Sequence, residues 1–517
     1  MSSFNVPHLR AGQADITLLL EGTYPYIRGG VSAWVHQLIQ AFPEYTFALV
    51  FIGGHPDHYG EIQYELPKHV VHLETHFVHL QTQRPPVRGI KGDPAFFHLI
   101  KNFHEAIRTR SVAGGQDAMF PTLMEALLKD PTGLQGQFLF SEEAWEYLGE
   151  IFRTYCTDPS FIDYFWTVRE IHAPIWLLGQ VAAQLIPSRL YHTISTGYAG
   201  FLGTLLQYKT GKPLILSEHG IYTKERKIDL FQLNWLPDNR LEFEKGNQQV
   251  GYFQNLWIRF FETFGRMCYR AADPIVSLYE VNRQRQIVDG ADPTRTIVIP
   301  NGIPVQRFHP LRDQRPLYPP PVLGLIGRVV PIKDIKTFIR AMRTVANRIP
   351  EAEGWIVGPQ NEDAEYVEEC QNLVQSLGLG DTVKFLGFQK MEDVFPKIGL
   401  IVLSSISEAL PLVVLEAFAA GIPVITTDVG ACRQLVLGEG MQGDSCGAAG
   451  AVVGMADAHG LAHEALDLLL NEKKWFSAQQ AGMKRVETFY TETEMLERYR
   501  FIYTQALNYG RDRIRAS

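Results

Sequence analysis

The chain has 517 residues, 46% hydrophobic, 20% charged and 11% aromatic, with 44 glycines and 30 prolines. This composition excludes a disordered or fibrous chain, and the length predicts about two to four domains. A formal net charge of -8 excludes non-specific nucleic-acid binding, which needs a cationic surface, while leaving room for a local basic pocket.

The N-terminal stretch MSSFNVPHLRAGQADITLLLEG lacks a basic leader, and its apolar run Ile16 to Leu20 stops at Glu21. No other run approaches the roughly 20 apolar residues of a bilayer span. The reading is a soluble, cytoplasmic protein without a membrane span of its own. A short strand ends at Leu20. A loop rich in glycine and proline runs to Gly29-Gly30, and Val31, Trp34, Val35, Leu38 and Phe42 mark one helix face. The strand TFALVFIG completes a β-loop-α-β start. Residues 75–180 then read as helical and aromatic-rich, an insertion before strands resume with YHTISTG, PLILSEHG, PIVSLY and TIVIPNG.

HPLRDQRPLYPPP is the linker candidate, because three consecutive prolines join neither a helix nor a central strand. Beyond it VLGLIGRVV, GWIVG, VKFLGF, LIVLSS, PVITTD and GAVV read as strands alternating with helices, a second doubly wound parallel sheet. The fold class is therefore α/β with two Rossmann-like domains. The boundaries are 1–310 for the first, with its insertion at about 80–185, then a 311–321 linker, 322–490 for the second, and a 491–517 helix packing back on the first. Two such domains facing one another leave a cleft at the carboxyl ends of their strands, where ligands of open parallel sheets bind.

The stretch SSISEALPLVVLEAFAAGIPVITTD carries the chemistry. A strand ends in a loop bearing Glu408, a helix starts near Leu410-Pro411-Leu412, and Glu416 follows within two turns. Unpaired N–H groups and the positive end of the dipole suit a phosphate there. A carboxylate on either side suits a ligand with hydroxyls flanking that phosphate, such as a nucleoside diphosphate sugar. In GRVVPIKDIKTF, Arg328 and Lys333 follow the first strand of the second domain and form a cationic pair able to neutralise a leaving diphosphate. No Asp-x-Asp triplet occurs in the chain, so no metal is assigned.

Glu408 and Glu416 resemble the E-x7-E motif of the retaining family-four glycosyltransferases, and Arg328 with Lys333 resembles that family's diphosphate-binding pair. The segments EGTYPYIRGGVSAWVHQLI, ISTGYAG and SEHGIYTKERKIDL are similar to the PelF group of that family, which serves Pel exopolysaccharide synthesis. The resemblance implies a GT-B fold. Glu416 would bind the ribose and Glu408 the transferred sugar, with Arg328 and Lys333 stabilising the diphosphate. His219 would contact the donor sugar, while Gly29 and Gly30 would let backbone N–H groups approach the phosphates. Backbone near Gly387-Phe388 would recognise uracil. The implied reaction is retaining, metal-independent hexosyl transfer from a UDP-sugar, UDP-glucose first, to a growing Pel-like polysaccharide. The implied partners are inner-membrane synthase components. A nucleotide-sugar-binding scaffold of such a synthase and a sugar-nucleotide epimerase are the alternatives.

Other signals are read as structural. His69, His72, His76 and His79 in KHVVHLETHFVHL read as an edge strand and loop with solvated histidines rather than a metal site. His172 reads as a core histidine. Alternation points Glu218 away from His219, as a supporting carboxylate or a base. Lys224, Glu225 and Arg226 read equally as acceptor contacts or loop caps. Cys156, Cys268, Cys370, Cys432 and Cys446 are scattered without a CxxC pair and read as buried thiols.

Overall fold

The computed structural model describes residues 9–79, 89–109, 119–232, 250–441 and 443–516. The first eight residues of the chain, and 80–88 at the start of the expected insertion, lie outside them. Backbone contacts divide the chain into two units, one of 1–277, 283–297 and 500–517, the other of 278–282 and 298–499.

Among the described residues, seven strands build the sheet of the first unit: β1 (Ala14–Glu21), β2 (Phe47–Gly53), β3 (Val70–Phe77), β4 (Ser188–Thr193), β5 (Leu214–Glu218), β6 (Ile275–Ser277) and β7 (Thr296–Val298). Their spatial order is β3-β2-β1-β4-β5-β6-β7. β3 through β6 pair in parallel, with Leu18 opposite Leu49 on one side and His192 on the other. β2, FALVFIG, is buried at every position, which is why it reads as an unbroken apolar run rather than an alternating one. Between β3 and β4 the described residues form five helices, Pro94–Thr109, Met119–Lys129, Pro131–Phe140, Glu142–Tyr155 and Phe161–Gln184. Local chemistry starts three of them. Asp130, Ser141 and Ser160 accept from Gly133 N–H, Ala144 N–H and Asp163 N–H respectively. The apolar faces of these helices share one core with β1, β2 and β5.

The second sheet has six strands: β8 (Val322–Ile326), β9 (Glu353–Val357), β10 (Val383–Gly387), β11 (Leu400–Leu403), β12 (Val424–Thr427) and β13 (Gly450–Val453). They are ordered β10-β9-β8-β11-β12-β13, all parallel. The proline-rich stretch belongs to this unit. Arg312 donates to Ala419 O, and Arg315 to Phe395 O and Ile398 O, at 2.7–2.9 Å, while Leu317 and Tyr318 stand exposed. Of the cysteines, Cys268, Cys370 and Cys432 are buried, but Cys156 and Cys446 are only half-buried. No helix among the described residues is long and apolar enough to cross a membrane.

One buried ion pair locks the second unit. Arg485, with no exposed surface, meets Asp444 at 2.5 Å and donates to Leu435 O, Val436 O and Gly447 O. Arg485→Ala removes the buried charge partner of Asp444, which keeps the Cys446 N–H, and the guanidinium donors of Leu435 O, Val436 O and Gly447 O. It is expected to lower unfolding free energy by about 3–5 kcal/mol, measured by urea denaturation; a loss under 1 kcal/mol contradicts this.

Candidate functional site

In the second sheet the strand order reverses between β8 and β11, so the loops leaving these two strands lie side by side at the carboxyl edge. The loop after β8 carries Gly327 and Arg328. Its turn is packed against β9, where a Cβ on Gly358 (φ +149°) would collide with the Gly327 carbonyl. A short 3-10 turn, Pro331–Lys333, then leads into the helix Ile335–Arg348. The loop after β11 runs Ser404-Ser405-Ile406-Ser407-Glu408. Ile406 N–H donates to Ile332 O at 2.9 Å and Ser404 Oγ to Lys333 O at 2.8 Å, which ties the two loops together.

The result is a direct contact between two predicted site residues. Lys333 Nζ lies 2.6 Å from Glu408 Oε1, and Ser405 Oγ donates to that same oxygen at 2.7 Å. The Lys333 and Glu408 side chains are only 20% and 15% exposed. Beneath the loop, Gly430 (φ +54°) has no room for a Cβ because the Glu408 and Ala409 carbonyls press on it, and Ala431 N–H donates to Ala409 O at 2.8 Å. Arg328 does not join the contact. It pairs with Glu362 at 2.6 Å in an exposed bridge, the kind that contributes little and is readily exchanged.

The following helix is Leu412–Ala419, so Pro411 sits one position earlier than first-turn geometry predicts. Its ψ of 111° is extended, and it occupies the cap position without a side-chain cap. Leu410 is buried in the core beneath. Glu416 lies one turn along the helix. Burial pushes its carboxyl up from the ordinary 4.5 to about 7; Arg307 draws it down and Glu392 opposes that. Arg307 itself pairs with Glu392 at 2.8 Å. Phe388, after Gly387 at the end of β10, is 78% exposed. Sequence reasoning missed Ser404, Ser405, Arg307 and Gly430. The first two had a signal, two hydroxyls at a strand end just before a site carboxylate. The others had none without the fold.

The remaining candidates belong to the first unit. Gly29 caps the helix Gly30–Ala41, and neither Gly29 nor Gly30 has a neighbour where a Cβ would stand. His219 is buried at the end of β5, its ring 4.5 Å from that of Trp34. Burial pushes its imidazole down to about 4, so it is neutral at pH 7, and Nε2 has no hydrogen-bond partner. Glu218 is spent structurally. It accepts from Thr196 Oγ1, Tyr222 N–H, Tyr269 OH and Gln286 Nε2 at 2.7–3.1 Å, and burial raises its carboxyl above the ordinary value. Glu21, at the end of β1, accepts from Tyr222 OH, Ser195 Oγ and Ala199 N–H at 2.6–3.2 Å. It thus joins the end of β1 to two segments 174–201 positions further along the chain. Lys224, Glu225 and Arg226 lie in the helix Tyr222–Gln232, where Arg226 packs 5.1 Å from the Tyr222 ring and pairs with Asp229.

The expectation of solvated histidines fails in the edge strand β3. His72, Glu74 and His76 share one face by two-residue alternation, and both histidine Nε2 atoms meet Glu74 at 2.8 and 3.0 Å, His72 being buried. Among the described residues no group of three or more His, Cys, Asp or Glu is arranged to hold a metal. His172 is a core histidine. Its Nδ1 meets Val168 O at 2.7 Å and its Nε2 meets His104 Nε2 at 2.8 Å.

Residues 14–294, more than half of the chain, match the family model described as Domain of unknown function (DUF3492). The chain belongs to the DUF3492 family. Within this member of the family, residues 320–471 match a second model, Glycosyl transferases group 1. The D-inositol 3-phosphate glycosyltransferase of Actinosynnema mirum is 31% identical over 274 residues, 50% of this chain and 56% of that protein. The chain thus spans little more than half the length of that relative. Among solved structures, Anabaena Alr3699/HepE in complex with UDP shares 14% identity over 95% of this chain and 100% of its own, at a TM-score of 0.55. Sucrose-phosphate synthase from Thermosynechococcus elongatus shares 18% over 95% and 98%, also at 0.55. At these identities the likeness is one of fold, the two Rossmann-like domains of GT-B glycosyltransferases.

The Glu416 carboxyl gives a signed pH dependence. Its folded value of about 7 lies above the ordinary 4.5, so the folded state binds the extra proton between these limits. The associated stability is full below about pH 4.5 and is lost as pH rises through 7. Glu416→Gln is expected to remove a stability difference between pH 5 and pH 8 on the order of 1–3 kcal/mol. Urea denaturation at both pH values measures it, and an unchanged difference contradicts the assignment.

Proposed function

We propose that this chain is a retaining, metal-independent glycosyltransferase. It transfers a hexose from a UDP-sugar, UDP-glucose first, to a growing Pel-like exopolysaccharide on the cytoplasmic side of the inner membrane. The observation that carries the reading is the Lys333–Glu408 contact at the switch point of a parallel sheet, within the segment that matches the glycosyltransferase group 1 model. The UDP held by the HepE structure of like fold supports the choice of nucleotide.

In this reading Lys333, and Arg328 once released from Glu362, neutralise the diphosphate. N–H groups at the start of the Leu412 helix meet its oxygens, with Leu410 and Pro411 shaping that entrance. Glu416 accepts from the ribose and Glu408 from the transferred sugar. Phe388 borders the uracil. The anomeric carbon–oxygen bond to the diphosphate breaks, the acceptor oxygen bonds to that carbon from the same face, and the acceptor proton passes to the leaving phosphate oxygen. A saccharide ligand for the first unit is supported by a cavity of about 700 Å³ within its helices, whose lining includes Tyr155, Tyr164, Tyr252, Arg259 and Glu150.

A second reading, a scaffold for a membrane synthase, is favoured by Trp145, Ile162 and Trp166, each more than half exposed on the inserted helices. Donor hydrolysis by the isolated protein separates the two. Calorimetric titration with UDP in EDTA is expected to show binding that magnesium leaves unchanged and that Arg328→Ala weakens at least about tenfold. Glu408→Ala is expected to reduce transfer at least about a hundredfold while circular dichroism stays that of the parent. Binding that requires magnesium, or full turnover in Glu408→Ala, contradicts the reading.

A further inference from the structure

Two groups assigned to different parts of one ligand already satisfy each other. The ammonium that would meet a diphosphate sits 2.6 Å from the carboxylate that would meet a sugar. Partial burial strengthens such a pair relative to an exposed one. Neither partner hangs on a loose tether. Ser405 Oγ donates to the shared Oε1 at 2.7 Å, Ser404 Oγ holds the Lys333 carbonyl, and both serines are 1% exposed. Thr427 Oγ1 donates to Ser405 O at 2.6 Å from β12, and Gly430 supports the Glu408 backbone from below. Arg328, in its exposed bridge to Glu362, is held by no comparable frame.

A diphosphate that recruits Lys333 therefore draws it away from a carboxylate that cannot follow. An intact sugar nucleotide offers Glu408 hydroxyl donors in place of the ammonium. A free nucleoside diphosphate offers none and carries additional negative charge towards an unpaired carboxylate. We propose that Glu408, pinned by Ser405, makes the site discriminate the intact sugar nucleotide from the free nucleoside diphosphate by competing with the diphosphate for Lys333. The inference rests on the donor-site reading above. Once the sugar has gone to the acceptor, Glu408 reclaims Lys333 and the diphosphate leaves. Ser405 is a positioning residue in this scheme, since it fixes which carboxylate oxygen faces Lys333.

The test is calorimetric titration of the full chain with UDP and with UDP-glucose, in EDTA, for the parent, Glu408→Gln and Ser405→Ala. Glu408→Gln keeps the shape and removes the charge. It is expected to bind UDP at least about tenfold tighter than the parent, the scale of a close charge pair, and to lose most of the preference for UDP-glucose over UDP. Ser405→Ala is expected to move that preference in the same direction by about threefold, at an unchanged thermal midpoint. A merely structural serine would weaken both ligands equally. UDP binding by Glu408→Gln that equals or falls below that of the parent overturns the proposal, as does an unmoved preference in Ser405→Ala. Failure of the parent chain to bind UDP overturns the donor-site reading itself, and the proposal with it.

Discussion

Parallel strands cannot be joined by hairpins, so each must be followed by a crossover that returns to the same end of the sheet. Where the spatial order of strands reverses, the crossovers diverge to opposite sides and their first loops are left adjacent. In the second unit this happens between β8 and β11, and everything proposed for the site depends on it. The loops of these two strands bring Lys333 and Glu408, 75 residues apart in the chain, to 2.6 Å. Removing that reversal would leave the same residues on the same loops with no reason to meet.

Around this contact the chain is built from unremarkable parts used at close quarters. Two serines and a threonine hold the loops, each through a backbone carbonyl or a single carboxylate oxygen, while Gly358 and Gly430 leave space for carbonyls that a Cβ would strike. The charged groups differ in how firmly they are held, and the difference follows burial. Arg328 and Glu362 are exposed and exchangeable, Lys333 and Glu408 are partly dehydrated and framed, and Arg485 and Asp444 are fully enclosed. The first suits a group that turns to a ligand, the second a group that answers to one, the third a rivet.

The first unit repeats the logic with different chemistry. Its strand order reverses between β1 and β4, and at that point Glu21 gathers Ser195, Ala199 and Tyr222. These residues come from the three segments EGTYPYIRGG, ISTGYAG and SEHGIYTKERKIDL, so segments separated by some two hundred positions share one carboxylate. Glu218, one strand further along, is likewise enclosed by four donors.

The amino-acid sequence by itself determined the α/β class and the two sheets, because buried parallel strands such as FALVFIG are apolar without interruption and their helices carry a 3.6-residue stripe. It also marked Arg328, Lys333, Glu408 and Glu416, since a strand end, a helix start and fixed spacing are local features. Three-dimensional structure alone decided which of these touch: Arg328 turned to Glu362, while Lys333 turned to Glu408. It also decided that Glu218 is enclosed, that His72 is buried on Glu74, and that Ser405 and Gly430 serve the site. The Arg328, Lys333, Glu218 and Gly430 contacts join residues far apart in the chain, and which loops meet is set by how whole helices cover the two faces of each sheet; His72–Glu74 and Ser405–Glu408 are local pairs whose burial the fold alone decides. No window of residues short enough to read by periodicity contains that information.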